Sequence, residues 1–244
     1  MGALRALGRA LHQLGQLPLS AIHEEATVAR LGELVNAVSA ADLGMVEAEY
    51  SSRMAADADN DIEFIDVGEA ENFTMCVFVL PPGTRIPLHD HPGMIVFSKV
   101  LFGELECESY NLISRESSRA LMPGKSASRL MALGLNLPRR PGPTHAVVEP
   151  NQVDIVRAGE MRSLTPTRAN VHSFFSRDKW TAVFDLVMPP YDDEAGRPCT
   201  YFDDVCSTGA DLNKPSSPGL LQLREVPCPS WFWTKRGVYK GTPL

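Results

Sequence analysis

The sequence predicts a mainly β protein with a helical segment at its N-terminus. Three observations carry that reading. Apolar residues recur at helical spacing through residues 1–50. From about Phe73 the pattern changes to short strand-like runs. Those runs are punctuated by glycine and proline, as in a sandwich or barrel of short strands.

The helical part comes first. Leu4, Leu7, Leu11 and Leu14 lie on one face of a helix, and Val28, Leu31, Leu34 and Val35 repeat the spacing up to about Val38. The leucine stripe is read as a face that docks on the core. Arg5 and Arg9, with no acidic residue before Glu24, also fit a mitochondrial leader, the alternative to a cytoplasmic location. Residues 51–63 are polar and acidic and read as a loop.

Phe73–Leu80 is the first strand candidate, stopped by Pro81-Pro82-Gly83. Met94–Leu101 is the second, with Glu104–Tyr110 as its expected hairpin partner across Gly103. Val153–Arg157, Val171–Ser176 and Trp180–Met188 follow. Residues 114–150 hold Pro123, Pro138, Pro141, Pro143 and Pro150 and read as an insertion, with one helical turn around Ser128–Leu133. Beyond Pro189 the chain reads as irregular, with Trp231 and Trp233 expected to cover one end of the barrel. The expected organisation is residues 1–50 as a helical segment packed on a barrel of residues 51–244.

The formal net charge of -7 argues against a nucleic-acid footprint, which needs a basic patch. No run approaches the 18 apolar residues of a membrane span. The five cysteines, Cys76, Cys107, Cys199, Cys206 and Cys228, are odd in number and show no C-x-x-C spacing. That fits a reducing compartment better than a secreted disulfide framework.

The chemistry concentrates in Gly83–Met94, around His89-Asp90-His91. Side chains two apart on a strand share a face, so both imidazoles can reach one metal. Imidazole suits Fe, Zn, Cu or Ni. His172, in an apolar run downstream, is the expected third ligand, because a metal site needs several convergent donors. His145 in the insertion, and His12 and His23 among the helices, are poorer competitors.

Gly83, five residues, His-x-His and a closing Gly103 resemble the first metal motif of the cupin superfamily. The expected fold is therefore a cupin-type double-stranded β-helix, a jelly-roll barrel with N-terminal helices. The glutamate usual in that motif is replaced by Ile95 and Val96. A cupin with three histidines and no glutamate resembles the thiol dioxygenases. Ile86–Met94, Val96–Gly103, Asp185-Leu-Val-Met-Pro-Pro-Tyr191 and Gly196–Tyr201 are similar to the cysteamine (2-aminoethanethiol) dioxygenase and plant cysteine oxidase family. The resemblance implies an Fe(2+) enzyme that adds both atoms of O2 to a thiol, giving a sulfinic acid. Its implied substrates are cysteamine or the N-terminal cysteine of a protein or peptide, the latter linked to oxygen sensing. It also implies His89, His91 and His172 as iron ligands, and Asp185 and Tyr191 as substrate-handling residues. Cys199 and Tyr201 match the pair that animal members join through a thioether.

The residues themselves leave choices open. Asp185 lies in an apolar run, where a carboxylate needs a partner. That partner is a substrate ammonium, a structural salt bridge, or a ligand histidine. Tyr191 is either a donor to bound sulfur or oxygen or a packed tyrosine. Cys199 and Tyr201 are either cross-linked or two ordinary side chains. Three neutral imidazoles leave a metal's positive charge uncancelled, which favours an anionic ligand such as thiolate. A zinc-dependent hydrolase or hydratase on the same ligands, and a non-catalytic ligand-binding cupin, are the competing readings. The chain is expected to be a cytoplasmic monomer.

Overall fold

The computed structural model describes residues 2–52, 61–117, 144–204 and 219–243. The helices are α1 (Ala3–Leu14), α2 (Glu25–Ala37) and the short α3 (Glu47–Ser51). Strands β1 (Ile62–Ala70), β2 (Phe73–Leu80), β3 (Arg85–Asp90), β4 (Ile95–Phe102) and β5 (Glu104–Ser117) follow. Then come β6 (Thr144–Pro150), β7 (Asp154–Arg157), β8 (Met161–Leu164), β9 (Val171–Phe175) and β10 (Thr181–Met188). The C-terminal strands are β11 (Tyr201–Asp204), β12 (Leu221–Val226) and β13 (Thr234–Arg236).

These strands form the expected cupin-type double-stranded β-helix. One sheet has the order β13-β1-β2-β10-β4-β8, the other β6-β12-β11-β3-β9-β5-β7. The long strand β5 also pairs β6, which closes six strands of the second sheet into a ring. Alternation along the strands then sorts three cores. The outer face of the first sheet, with Met75, Val77, Val79, Phe97, Phe184 and Leu186, packs against the helices. Its inner face, with Leu80, Val100 and Val183, packs against Ile86, Leu105 and Phe174 of the second sheet. The far face of the second sheet fills the ring with Tyr110, Ala146, Val148, Val171, Phe202 and Leu223.

The leucine stripe of α1 is buried, Leu7 and Leu11 completely. It forms one cluster with Leu31 and Val35 of α2 and with the first sheet. Burial of each such side chain contributes about 1.5–3 kcal/mol before entropy is counted. Lys99 on β4 is buried, and its ammonium bonds the Asn36 carbonyl in the last turn of α2. Those carbonyls lack intrahelical partners, so a cation there is favourable.

Several expectations are corrected. Strand β1 begins at Ile62, inside the stretch read as a loop; its Asp and Glu residues obscured the alternation. Residues 114–117 and 144–150 are strand, so the insertion is shorter than read, and the turn expected at Ser128–Leu133 lies outside the described residues. Strands β4 and β5 are not a hairpin. They belong to different sheets, with Gly103 between them at φ 80°, where a Cβ would collide with the Trp180 carbonyl. Only glycine lets the chain cross from one sheet to the other there. The C-terminal region read as irregular contains β11, β12 and β13. Trp231 and Trp233 are exposed; Phe232 between them packs inward against the second core.

No helix among the described residues is long and apolar enough to cross a membrane. The docking of α1 gives a stability prediction. Leu7→Ala is expected to lower unfolding free energy by about 2–5 kcal/mol in urea titrations, against less than about 0.5 for Arg5→Ala on the same helix.

Candidate active site

Strands β3 and β9 pair antiparallel, with His89 directly opposite His172. Tyr201 on β11 lies beside His89, and Ser109 on β5 lies beside His172. The row Tyr201, His89, His172, Ser109 therefore shares one face. Phe174, two residues after His172, belongs to the core between the sheets, which fixes that face as the barrel interior. His91 follows the end of β3 and turns into the same space. Ring centroids are 4.9 Å apart for His89 and His91, 4.7 Å for His89 and His172, and 4.9 Å for His91 and His172. One nitrogen from each lies within 4.8 Å of the others. His91 Nε2 and His172 Nε2 are 3.0 Å apart.

The outer bonds of two rings fix where their lone pairs point. His89 Nδ1 is 2.8 Å from the Pro87 carbonyl, which can only accept, so Nδ1 carries the proton. Tyr191 donates its hydroxyl proton to the Asp90 carbonyl at 2.7 Å. Its oxygen then accepts from His91 Nδ1 at 2.8 Å. Both rings are left with a bare Nε2 turned inward. Partners of this kind fix tautomer and orientation around metal-bound histidine.

Electrostatics keep the rings neutral. Burial lowers the pKa of His89 to about 4, partly offset by the Pro87 bond. Burial, then the neighbouring His172 and His89, holds His91 well below the ordinary value. Burial, then His89, does the same to His172. Three buried, neutral and convergent imidazoles without a carboxylate among them fit a transition-metal ion.

Asp185 sits on β10, opposite Cys76 of β2 and Ser98 of β4, on the inner face of the first sheet. Among the described residues it forms no salt bridge and no bond to a histidine. One oxygen takes the Ser98 hydroxyl and the other is buried without a partner. Burial pushes its pKa up from 3.8 to about 7, with the Ser98 bond opposing. Two of the three expected partners are thus absent among the described residues. Tyr191 uses its proton on the Asp90 carbonyl, so in this arrangement it orients His91 and does not donate into the centre. Cys199 is a free thiol in hydrogen-bonding contact with both Tyr191 and Tyr201. Cys206 lies outside the described residues, as does the side chain of His145.

Two positioning residues were not anticipated. Asp90, between two expected ligands, is fully buried on the opposite face of β3. Its Oδ1 accepts from Thr200 N–H at 3.0 Å, its own N–H donates to the Thr200 carbonyl at 3.1 Å, and Oδ2 pairs with Arg115. It thereby holds the Cys199–Tyr201 segment against the histidine strand. Asn170, also fully buried, donates to the His91 carbonyl at 2.8 Å and the Thr165 carbonyl at 3.0 Å. The available signal was, for Asp90, a carboxylate between two ligands in a strand and, for Asn170, a polar residue just before β9, two positions ahead of His172.

Residues 34–244 match the family model PCO_ADO. The chain belongs to that family. A probable 2-aminoethanethiol dioxygenase of Dictyostelium discoideum is 34% identical over 58% of this chain and 56% of its own length. The chain therefore spans just over half of that relative. The 2-aminoethanethiol dioxygenase of Homo sapiens is 27% identical over 88% of this chain and 80% of its own. Plant cysteine oxidase 2 of Arabidopsis thaliana is 31% identical over 59% of this PCO_ADO chain and 44% of its own.

Two predictions follow from these bonds. Tyr191→Phe removes the acceptor of His91 Nδ1 and is expected to weaken metal binding about 10–100-fold in anaerobic chelator competition. Asp185 has a raised folded pKa, so its cost to stability grows as pH rises from about 4 to about 7 and is constant above. In metal-free protein, Asp185→Asn is therefore expected to gain stability over the parent across that window, on the order of 4 kcal/mol in all, measured by denaturant titration at each pH.

Proposed function

We propose that His89, His91 and His172 hold one ferrous ion, and that this chain, a thiol dioxygenase, adds both atoms of O2 to a thiol sulfur to give a sulfinic acid. The substrate is cysteamine or an N-terminal cysteine. The observation that carries the reading is the convergence of three neutral imidazoles with no carboxylate among them. The names of the family relatives support the same chemistry.

A ferrous ion at this position supplies the redox chemistry with O2 that no side chain provides. The residues do the rest. Pro87 and Tyr191 fix the outward protons of His89 and His91, so their Nε2 lone pairs stay available at neutral pH. Neutral ligands leave the centre cationic, which favours sulfur as thiolate. The unpaired oxygen of Asp185 is suited to an ammonium, the group that cysteamine and an N-terminal cysteine share. Met94, Val96, Leu164 and Val187, packed with Tyr191, make an apolar wall that limits water. Holding thiol and oxidant in one enclosed site lowers the entropic cost of their encounter.

The test is anaerobic loading with Fe(2+), then O2 and each thiol in turn, with products weighed by mass spectrometry. A gain of two oxygen atoms on sulfur is expected. His172→Ala is expected to lose more activity than the roughly 10²-fold typical of an outer partner. Full activity with zinc, or a wild-type protein that consumes no O2 with any thiol, contradicts the proposal.

A further inference from the structure

We infer that Arg168 selects substrates carrying a carboxylate a short distance from the reacting sulfur; this rests on the thiol dioxygenase reading and names a substrate class for the same site. A cavity of about 480 Å³ reaches His172 and is lined among others by Ser98, Cys107, Ser109, Arg162 and Arg168. Its charged wall residues differ in one respect. Arg162 is paired with Asp154 at 2.5 Å, so that charge is compensated. Arg168 is exposed, and its guanidinium has no anionic partner among the described residues.

The backbone that carries Arg168 is fixed from both sides. Arg168 N–H donates to Thr165 Oγ1 at 3.1 Å, and Thr165 N–H donates back to the Arg168 carbonyl at 3.0 Å. The next residue, Ala169, has φ 52°, a left-handed conformation that residues with a Cβ avoid. It is held there by an Asn111 side chain, whose Oδ1 accepts Ala169 N–H at 2.9 Å and Asn151 Nδ2 at 3.2 Å. Asn170 then ties the same turn to the His91 carbonyl through the two bonds given above. Strain persists where surroundings over-determine it, and such places concentrate at ligand-binding walls. Here it sets the Cα of an unpaired arginine at a constant position relative to the histidine centre.

A guanidinium offers paired N–H donors in a plane, the geometry that binds a carboxylate. Two sources share that chemistry: the carboxyl of free cysteine, and an acidic side chain soon after an N-terminal cysteine. Cysteamine has neither.

The experiment measures kcat/KM of the iron-loaded protein for cysteine against cysteamine, and for two C-terminally amidated peptides that differ only as Cys-Gly-Asp or Cys-Gly-Asn at the start. Wild type is expected to favour a carboxylate member of at least one pair by about 5- to 10-fold. Arg168→Ala is expected to bring that ratio near one, Arg168→Lys to keep part of it, and Arg168→Glu to favour a Cys-Gly-Lys peptide. Which pair shows the effect separates the two sources. Calorimetric binding of the same compounds to metal-free protein supplies a readout independent of turnover. A ratio near one in wild type, or one unchanged by Arg168→Ala, overturns the role of Arg168. Loss of turnover of every thiol by wild type sinks the dioxygenase reading instead, and the binding ratios then decide the inference alone.

Discussion

The antiparallel register that sets His89 opposite His172 is the constraint on which the rest of the site depends. Side chains alternate along a strand, so a slip of one residue in either partner would send an imidazole into the ring core beside Val171. The pairing is irregular between Ile86 and His89, which brings the histidine end of β3 into step with β9. Register also places Tyr201 and Ser109 at the two flanks of the histidine row. On the reverse face the row reads Asp90, Val171, Tyr110. One side of these strands presents nitrogen donors, and the other is anchored in a packed core.

Asp90 connects those two sides. A buried carboxylate is costly unless it is compensated, and here a hydrogen bond from Thr200 and an ion pair with Arg115 do so. The same bonds bring Cys199 and Tyr201 to the edge of the site. Around the donors themselves the protein uses neutral acceptors, a carbonyl at Pro87 and a phenol at Tyr191. Carboxylate partners would have raised imidazole basicity and added negative charge. The chosen environment keeps the rings neutral.

Much of this was legible from residue spacing, and the failures have physical causes. His89 and His91 two apart, and His172 in an apolar run, marked the centre because donors of that kind are rare in buried strands. The leucine stripe marked α1 because its period is that of a helix. Strand β1 escaped because Glu63, Asp66 and Glu69 broke the apolar pattern. Gly103 looked like a hairpin turn because local sequence does not say which sheet the next strand joins. The same limit hid Asp90 and Asn170, whose partners Arg115, Thr200 and Thr165 are set by tertiary pairing. The role of Tyr191 depends on where one proton goes, and its partner, the Asp90 carbonyl, is also set by tertiary pairing.

The central claim is that three Nε2 atoms from β3, its following turn and β9 bind one iron. The most direct measurement is crystallography of anaerobically iron-loaded protein with anomalous data at the iron edge. The account predicts a single peak within bonding distance of Nε2 of His89, His91 and His172, with Nδ1 of His89 still on Pro87 and Nδ1 of His91 still on Tyr191. A peak elsewhere, or iron held with the His172 ring turned away, would contradict it.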